Sequence, residues 1–246
     1  MQHRSKKIKK SLFIILVVLI VLSGGSAIYL GNYYHSVDVE KYMNGSSEVS
    51  VEKFDKGWFF DGAGEEKALI FYPGAKVATE AYAPLMYQLA ESGIDCFLVD
   101  MPFHMAFFGM NRAEEIMQKY NYEAWYLGGH SLGGAMAANF AADYVEDHTD
   151  GIRGLLLLAA YPTKDLSTSD MSVVTVYGSE DGVLNMDKIV AGRELMPQDY
   201  KEVCIEGGNH AQFGSYGAQK GDGTAAIPAE EQWARTVEVF VGDESE

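Results

Sequence analysis

The sequence predicts an α/β fold in which helices flank a mostly parallel, twisted sheet. Short apolar runs recur along the chain, and segments with helical periodicity separate them. Strands that are apolar on both faces are typical of parallel sheets covered on both sides. No internal repeat divides the chain, and no linker is long enough to separate two domains. Residues 48–246 are therefore predicted to form one domain.

The strands are predicted from apolar runs that end in turn residues. Weak alternation over residues 48–61 predicts an antiparallel hairpin at the edge of the sheet. Both cysteines, Cys96 and Cys204, fall in apolar runs, so we expect them to be buried free thiols, with a disulfide in an oxidising compartment as the alternative. The parallel strands are predicted at residues 68–72, 94–99, 124–127, 153–160, 172–177 and 200–205.

The helices are predicted from apolar side chains that repeat on one face and from residues that start or stop a helix. Residues 79–92 place their apolar side chains on one face, and Gly93 stands just past the end. Residues 112–120 and 132–145 follow the same pattern. Pro228 opens a last helix whose first turn is acidic, as the helix dipole favours.

The charge of the chain excludes one class of partner. The formal net charge is −16, yet the first ten residues carry cations and no acid. The remainder is therefore more acidic than the whole chain. A domain this acidic repels the phosphate backbone, so nucleic acid is not expected as a partner.

The N-terminus has the pattern of a membrane segment. Residues 12–30 contain no charged side chain and follow a basic cluster. As a helix, this run would span about 28 Å, enough to cross the hydrocarbon core of a bilayer. We predict a basic cytoplasmic segment at residues 1–10, a transmembrane anchor or signal segment at 11–31 and a polar tether at 32–47.

The orientation of this segment follows from its charges. Cationic flanks remain in the cytoplasm, so the pattern predicts a single-pass protein of the cell membrane with its domain outside the cell. The lipid bilayer would then be a partner through the N-terminal helix. A cleavable signal peptide is the alternative, and the domain would then be secreted.

A candidate nucleophile stands at the end of the strand predicted at residues 124–127. Residues 129–133 read G-H-S-L-G, with Ser131 at the centre and a predicted helix directly after it. This strand–turn–helix arrangement is the one that a G-x-S-x-G nucleophile elbow requires. The glycines two residues before and after the serine allow the tight turn, because a larger side chain would collide there.

A base and an acid follow the nucleophile in the order Ser, Asp, His. A serine hydroxyl attacks only when a base takes its proton. His210 lies in a glycine-rich loop after the last predicted strand, and Asp181 follows the strand before it. The aspartate can hold the histidine in the required tautomer. Glu180 is the alternative acid, and a helix cap is the alternative role for Asp181.

Backbone N–H groups for an oxyanion hole are predicted in two places. One is Leu132, directly after the nucleophile at a helix N-terminus. The other lies in the loop after the first parallel strand, where Ala75 is preferred to Lys76 as the donor. The side chains of Lys76 and His104 are open as substrate contacts, with a solvated lysine and a structural histidine as alternatives.

These motifs together resemble the α/β-hydrolase superfamily, and more narrowly the small bacterial group related to dienelactone hydrolase. The matching stretches are FYPGAKV (71–77), GHSLGG (129–134), GSED (178–181) and GNHAQFG (208–214). The resemblance implies the α/β-hydrolase fold, an acyl-enzyme mechanism and no metal or organic cofactor. Dienelactone hydrolases use a cysteine nucleophile where Ser131 stands here, so their substrate is not carried over. The connection at 161–171 is too short for a large cap domain.

The preferred function is a serine hydrolase, of carboxylesterase type, that cleaves a small-molecule acyl substrate. The predicted triad is Ser131, His210 and Asp181, with Ala75 and Leu132 as oxyanion donors. A peptidase or a thioesterase would use the same triad. A non-catalytic surface binding protein on a hydrolase scaffold is the alternative from another class, because a fold does not determine function.

Overall fold

The computed structural model describes Gly25, residues 31–148 and residues 151–243. The contacts of the chain group it into two units, Met1–Tyr33 and Tyr34–Glu246. The elements below all belong to the second unit. The strands are β1 (Ser50–Phe54), β2 (Gly57–Asp61), β3 (Lys67–Tyr72), β4 (Asp95–Val99), β5 (Ala124–His130), β6 (Ile152–Leu158), β7 (Ser172–Gly178) and β8 (Tyr200–Ile205).

Six α-helices lie in the described part of this unit. Short 3-10 helices occur at Thr79–Tyr82, Pro102–His104, Ala106–Phe108, Arg193–Leu195 and Ala211–Phe213. The α-helices are α1 (Glu40–Met43), α2 (Ala83–Glu91), α3 (Arg112–Lys119), α4 (Leu132–Asp147), α5 (Met186–Gly192) and α6 (Ala229–Asp243). The predicted helices correspond to α2, α3, α4 and α6.

The eight described strands form one sheet in the order β1-β2-β4-β3-β5-β6-β7-β8. β1 pairs with β2 and β2 with β4 in antiparallel register, whereas every pairing from β4 to β8 is parallel. The predicted mostly parallel sheet with an edge hairpin is therefore confirmed. Residues 159–171, which connect β6 to β7, contain no helix or strand.

The core lies on both faces of the sheet. On one face Leu69 and Phe71 of β3 pack in a cluster with side chains of α2 and α6. On the other face Ala68 and Ile70 pack in a second cluster with side chains of α3 and α4. Full burial of a leucine or isoleucine contributes about 1.5–3 kcal/mol relative to exposure. This two-sided burial fixes β3 at the centre of the sheet, so the loop that follows it starts from a rigid strand.

The segment predicted as a tether, residues 32–47, is packed against the domain from Tyr34 onward. Tyr34 forms an isolated bridge with Val77, and its N–H donates to the Lys76 carbonyl at 2.7 Å. The N–H of Val37 donates to the Ser215 carbonyl at 2.8 Å. The unit therefore begins earlier than the predicted boundary at residue 48, because isolated contacts of this kind leave no periodic pattern in a sequence.

The prediction of a single-pass membrane protein is corrected by the structure. No helix among the described residues is both long and apolar enough to cross a bilayer. The predicted segment 11–31 lies outside the described residues except for Gly25 and Gly31. The prediction rested on hydropathy and flanking charge, which report how apolar a segment is and do not by themselves establish a helix. A transmembrane helix, the bilayer as a partner and an extracellular domain are therefore not supported.

Edge strand β8 carries a charged network on Glu202. Arg193 donates to both carboxylate oxygens, with Nε to Oε2 at 2.8 Å and Nη2 to Oε1 at 2.7 Å. Tyr177 and Tyr200 donate their hydroxyls to the same carboxylate at 2.9 and 3.0 Å. Hydrogen bonding from Arg193 lowers the pKa of Glu202 to about 2, against the opposing effect of its partial burial.

This depressed pKa predicts a pH-dependent contribution to stability. A carboxyl whose pKa is lower in the folded state stabilises the fold above its unfolded pKa, which is about 4.3. The contribution is lost as the pH falls from about 5 towards 2, and it is small because Arg193 is half exposed. In urea unfolding, the stability difference between the parent and Glu202→Gln should shrink over that range. Glu206→Gln is the control, and a constant difference would contradict the assignment.

Candidate active site

The sequence-predicted site residues follow strands that end at the same edge of the sheet. β3 and β5 run parallel, and so do β7 and β8, so their carboxyl ends share one edge. Ala75 follows β3, Ser131 follows β5, Asp181 follows β7 and His210 follows β8. Ligand sites of open α/β sheets form at this edge, where loops from several strands meet.

Ser131 occupies a sharp turn between β5 and α4. Its φ and ψ are 55° and −121°, a conformation that residues other than glycine rarely adopt. Its N–H donates to the Leu158 carbonyl of β6 at 2.8 Å. A Cβ on Gly133 would stand 2.1 Å from the Tyr72 oxygen, and one on Gly129 would stand 2.5 Å from the Gly133 carbonyl carbon. The two glycines therefore let the turn pass beside β3, as the elbow motif requires.

Positive φ angles concentrate around this turn. Six of the described non-glycine residues have a positive φ. Asp38 lies before the first strand, and the other five lie in loops that follow β3, β4, β5 and β6. They are Lys76 (59°), Phe103 (57°), His104 (55°), Ser131 (55°) and Ala159 (46°). Backbone strain of this kind persists only where the surrounding structure enforces it, and it clusters at functional sites.

Asp181 and His210 form a buried hydrogen-bonded pair. The distance from His210 Nδ1 to Asp181 Oδ2 is 2.8 Å, and the two side chains are 2% and 3% exposed. A carboxylate at this distance holds the Nδ1 proton and leaves Nε2 free to accept one. His210 Nε2 is buried and has no hydrogen-bond partner among the described residues.

The second oxygen of Asp181 is held by the backbone. Oδ1 accepts the N–H groups of Val183 and Leu184 at 2.9 and 2.7 Å. The aspartate therefore caps the following turn and orients the histidine at the same time. Glu180, the alternative acid in the sequence, is exposed, and its carboxylate accepts only a 3.4 Å hydrogen bond from Ser179 within the described residues.

Asp222 joins the loops that carry Asp181 and His210. Its Oδ1 accepts the N–H groups of Gly182 at 3.1 Å and of His210 at 3.2 Å, and that of the adjacent Gly223 at 2.9 Å. Its Oδ2 accepts the N–H of Ala211 at 2.8 Å. One carboxylate thus binds the backbone on both sides of the Asp181–His210 pair.

The β3 loop, residues 73–76, leaves one of its backbone donors free. Gly74 donates its N–H to the Tyr82 hydroxyl at 3.0 Å, and Lys76 donates its N–H to the His104 carbonyl at 2.7 Å. Within the described residues, the Ala75 N–H has no acceptor, and neither has the Leu132 N–H at the start of α4. These are the two donors that the sequence predicts, and the bond to His104 excludes the Lys76 N–H.

A cavity of about 270 Å³ brings the candidate groups together. Ser131 and His210 both line it. The rest of its wall is mostly apolar and comes from Leu132, Ala135, Ala159, Ala160, Tyr161, Val183, Leu184 and Asn185. Among the described residues, no three His, Cys, Asp or Glu side chains are grouped as metal ligands. The cavity has room for a small apolar group next to Ser131 and His210.

The sequence did not identify Asp222 or Tyr82 as candidate site residues. Asp222 stands between Gly221 and Gly223 in a long glycine-rich loop, and this context was the only available signal. Tyr82 was assigned to the apolar face of a helix, and its hydroxyl lies instead against Gly74 and His130. Both residues bind groups that are distant in sequence. The hydrophobic periodicity of a sequence indicates helices and strands but not such long-range contacts.

A comparison with known protein families agrees with this architecture. A family model described as "Alpha/beta hydrolase family" matches residues 68–234. This range includes every candidate site residue. A search of curated proteins finds no match to the chain.

Solved esterases share the fold at low sequence identity. An esterase from Pyrobaculum calidifontis has a TM-score of 0.58 at 15% identity, over 84% of this chain and 88% of that one. Carboxyl esterase 2 from the fungus Tuber melanosporum has a TM-score of 0.57 at 12% identity, over 85% and 89%. The esterase domain of a Rhodothermus marinus protein has a TM-score of 0.57 at 13% identity, over 79% and 97%. At such identities the likeness establishes the fold alone.

Proposed function

The chain belongs to the α/β hydrolase family, and from that premise we propose that it is a serine esterase that cleaves a carboxylic ester. The proposal assigns Ser131 as the nucleophile, His210 as the base and Asp181 as the acid that orients it. The observation that carries the proposal is the 2.8 Å bond between His210 and Asp181. It leaves His210 Nε2 buried and without a partner among the described residues, and His210 lines the same cavity as Ser131.

The proposed reaction has two steps. His210 Nε2 takes the proton of Ser131 Oγ as that oxygen attacks the acyl carbonyl. The C–O bond to the leaving alcohol then breaks, and His210 returns the proton to the alcohol. In the second step His210 takes a proton from water, which attacks the acyl-enzyme. The acid leaves, and the proton returns to Ser131.

Charge stabilisation is assigned to the two free backbone donors. In both steps the carbonyl oxygen becomes negative, and the Ala75 and Leu132 N–H groups are proposed to bind it. Preorganised donors of this kind contribute about 3–4 kcal/mol each to the transition state. Leu132 also stands at the N-terminus of α4, where the helix dipole favours an anion.

The cavity favours a small apolar acyl group. Its apolar wall offers little to a charged or strongly polar group. The solved esterases of this fold are consistent with ester cleavage, and the relation to dienelactone hydrolase rests on the motif residues alone. A peptidase or thioesterase activity would use the same atoms, so a panel of ester, thioester and peptide substrates distinguishes the three.

The first test is covalent labelling of the full chain with a fluorophosphonate. Intact mass should show one adduct on the parent and on Ser92→Ala, which removes an exposed serine. Ser131→Ala should remain unlabelled, because only an activated serine reacts. A folded parent that takes no label would refute the esterase proposal and favour the non-catalytic binding protein.

A further inference from the structure

His130, the residue before the nucleophile, is buried beside the catalytic pair. Its side chain is almost inaccessible to solvent, and its ring centroid lies 4.4 Å from that of His210. Phe213 and Tyr82 cover other sides of the ring, with centroids 5.7 Å away. A buried histidine between aromatic rings and a second histidine has no solvent to stabilise a charge. Burial, and then the nearby His210, lower the pKa of His130 well below its ordinary value.

The Tyr82 hydroxyl links His130 to the β3 loop. Its oxygen accepts the Gly74 N–H at 3.0 Å. The same hydroxyl is hydrogen-bonded to His130 Nδ1 at 2.8 Å. A hydroxyl has one proton and two lone pairs, so it can hold both partners in either tautomer of the histidine. His130 therefore orients the oxygen that holds Gly74.

The same hydrogen bond anchors the β3 loop next to Ala75. The loop is held at Gly74 by Tyr82 and at Lys76 by the His104 carbonyl. Ala75 lies between these two anchors and keeps its N–H free. An anchor on each side leaves this peptide group little freedom to rotate, so the direction of the Ala75 N–H depends on both.

The loop approaches the two side chains closely. A Cβ on Gly74 would stand 2.8 Å from His130 Nδ1 and 2.8 Å from the Tyr82 hydroxyl. Only glycine fits between the loop and this pair. The elbow strand β5 and the β3 loop are thereby joined through two side chains, in addition to the pairing of their strands.

We propose that His130 and Tyr82 are positioning residues that aim the Ala75 N–H at the oxyanion. This inference rests on the proposed esterase function. Neither residue transfers a proton or binds the oxyanion in the mechanism above. Their role is to fix the position of the Ala75 N–H relative to Ser131. They can do so because His130, which is linked to the β3 loop through Tyr82, directly precedes Ser131 in the chain.

The test combines Tyr82→Phe with a pair of His130 variants. Tyr82→Phe removes one hydroxyl and keeps the buried ring. It should lower kcat on p-nitrophenyl butyrate by roughly ten- to a hundredfold and change KM little. The reason is that a displaced Ala75 N–H stabilises the oxyanion of the transition state less. His130→Leu should have the same effect. His130→Asn should recover much of the rate, because its side-chain amide can either accept from or donate to the Tyr82 hydroxyl.

Amide hydrogen exchange provides a readout that does not depend on turnover. The Gly74 amide should be protected in the parent and should exchange faster in Tyr82→Phe. Tyr87→Phe is the matched control, since Tyr87 lies in α2, directly after the 3-10 helix that ends at Tyr82, and its hydroxyl has no hydrogen bond among the described residues. It should leave kcat and Gly74 protection unchanged.

The outcomes separate this inference from the proposed function. A parent that labels at Ser131, with unchanged kcat and Gly74 exchange in Tyr82→Phe, would overturn the positioning role and leave the esterase proposal intact. If Tyr82→Phe does not fold, equal rates in His130→Asn and His130→Leu would overturn it. A parent without Ser131 labelling would refute both, even if Tyr82 protects the Gly74 amide.

Discussion

Asp181→Asn should lower kcat by about 10⁴-fold, the size of effect that a wrong imidazole tautomer has in a serine triad. The reason lies in the backbone contacts of this residue. Oδ1 accepts two N–H groups, from Val183 and Leu184. In an asparagine the carbonyl oxygen would remain at that position, because the amide nitrogen cannot accept a hydrogen bond.

The amide nitrogen of the variant would then face His210 Nδ1. It would donate a proton to Nδ1, so the histidine would carry its own proton on Nε2. An Nε2 that already bears a proton cannot remove one from Ser131. Asp181→Asn should therefore lower both kcat and the rate of fluorophosphonate labelling, while the fold remains intact.

The measurement is steady-state turnover together with the labelling rate and a thermal melt. Glu180→Gln is the matched control, because the neighbouring carboxylate is exposed and has no hydrogen bond to His210 among the described residues. It should behave like the parent. If Asp181→Asn kept parental turnover while Glu180→Gln lost it, the assignment of the acid would be wrong.

Asp222→Ala should lower kcat by roughly 10²-fold, the loss typical of removing a group that holds catalytic residues in place. The alanine would leave four backbone N–H groups without their acceptor, those of Gly182, His210, Ala211 and Gly223. The loops that carry the acid and the base would lose their shared anchor. The distance between Asp181 and His210 would then vary too much to maintain their 2.8 Å hydrogen bond.

Asp222→Asn gives a graded form of the same test. Its amide oxygen can keep the three partners of Oδ1, whereas its nitrogen would oppose the Ala211 N–H. Turnover should therefore fall between those of the parent and the alanine variant. Asp55→Ala, at an exposed position in the β1–β2 turn, is the control. Equal turnover in all four proteins would show that Asp222 does not position the pair.

The sheet and the elbow were predictable because their signals are local. Apolar runs such as residues 68–72 report burial on both faces, and the spacing around Ser131 reports a turn that only glycines permit. The order of Ser131, Asp181 and His210 along the chain placed all three on loops at one edge. These inferences need only the periodicity of strands and helices and the chemistry of single turns.

The features that escaped prediction depend on contacts between distant residues. Asp222 binds backbone N–H groups, which have no side-chain signature in a sequence. Cys204 was expected to be buried, yet it is exposed, because β8 is an edge strand and the apolar run does not reveal the neighbour it lacks. The run at residues 12–30 predicted a membrane span from hydropathy alone, and the described residues contain no such helix.

The cluster of positive φ angles has a consequence for how this protein can change during evolution. At Phe103, whose ring is exposed, little in the packing requires a phenylalanine, yet its φ of 57° restricts the choice. Glycine, asparagine and aspartate adopt such a backbone most readily, whereas valine and isoleucine do not. Among relatives that keep this loop geometry, the residues tolerated at position 103 should therefore be those that adopt a positive φ, whether or not they are hydrophobic. At Ser131, with its φ of 55°, the proposed role as nucleophile adds a second requirement, so few side chains satisfy both.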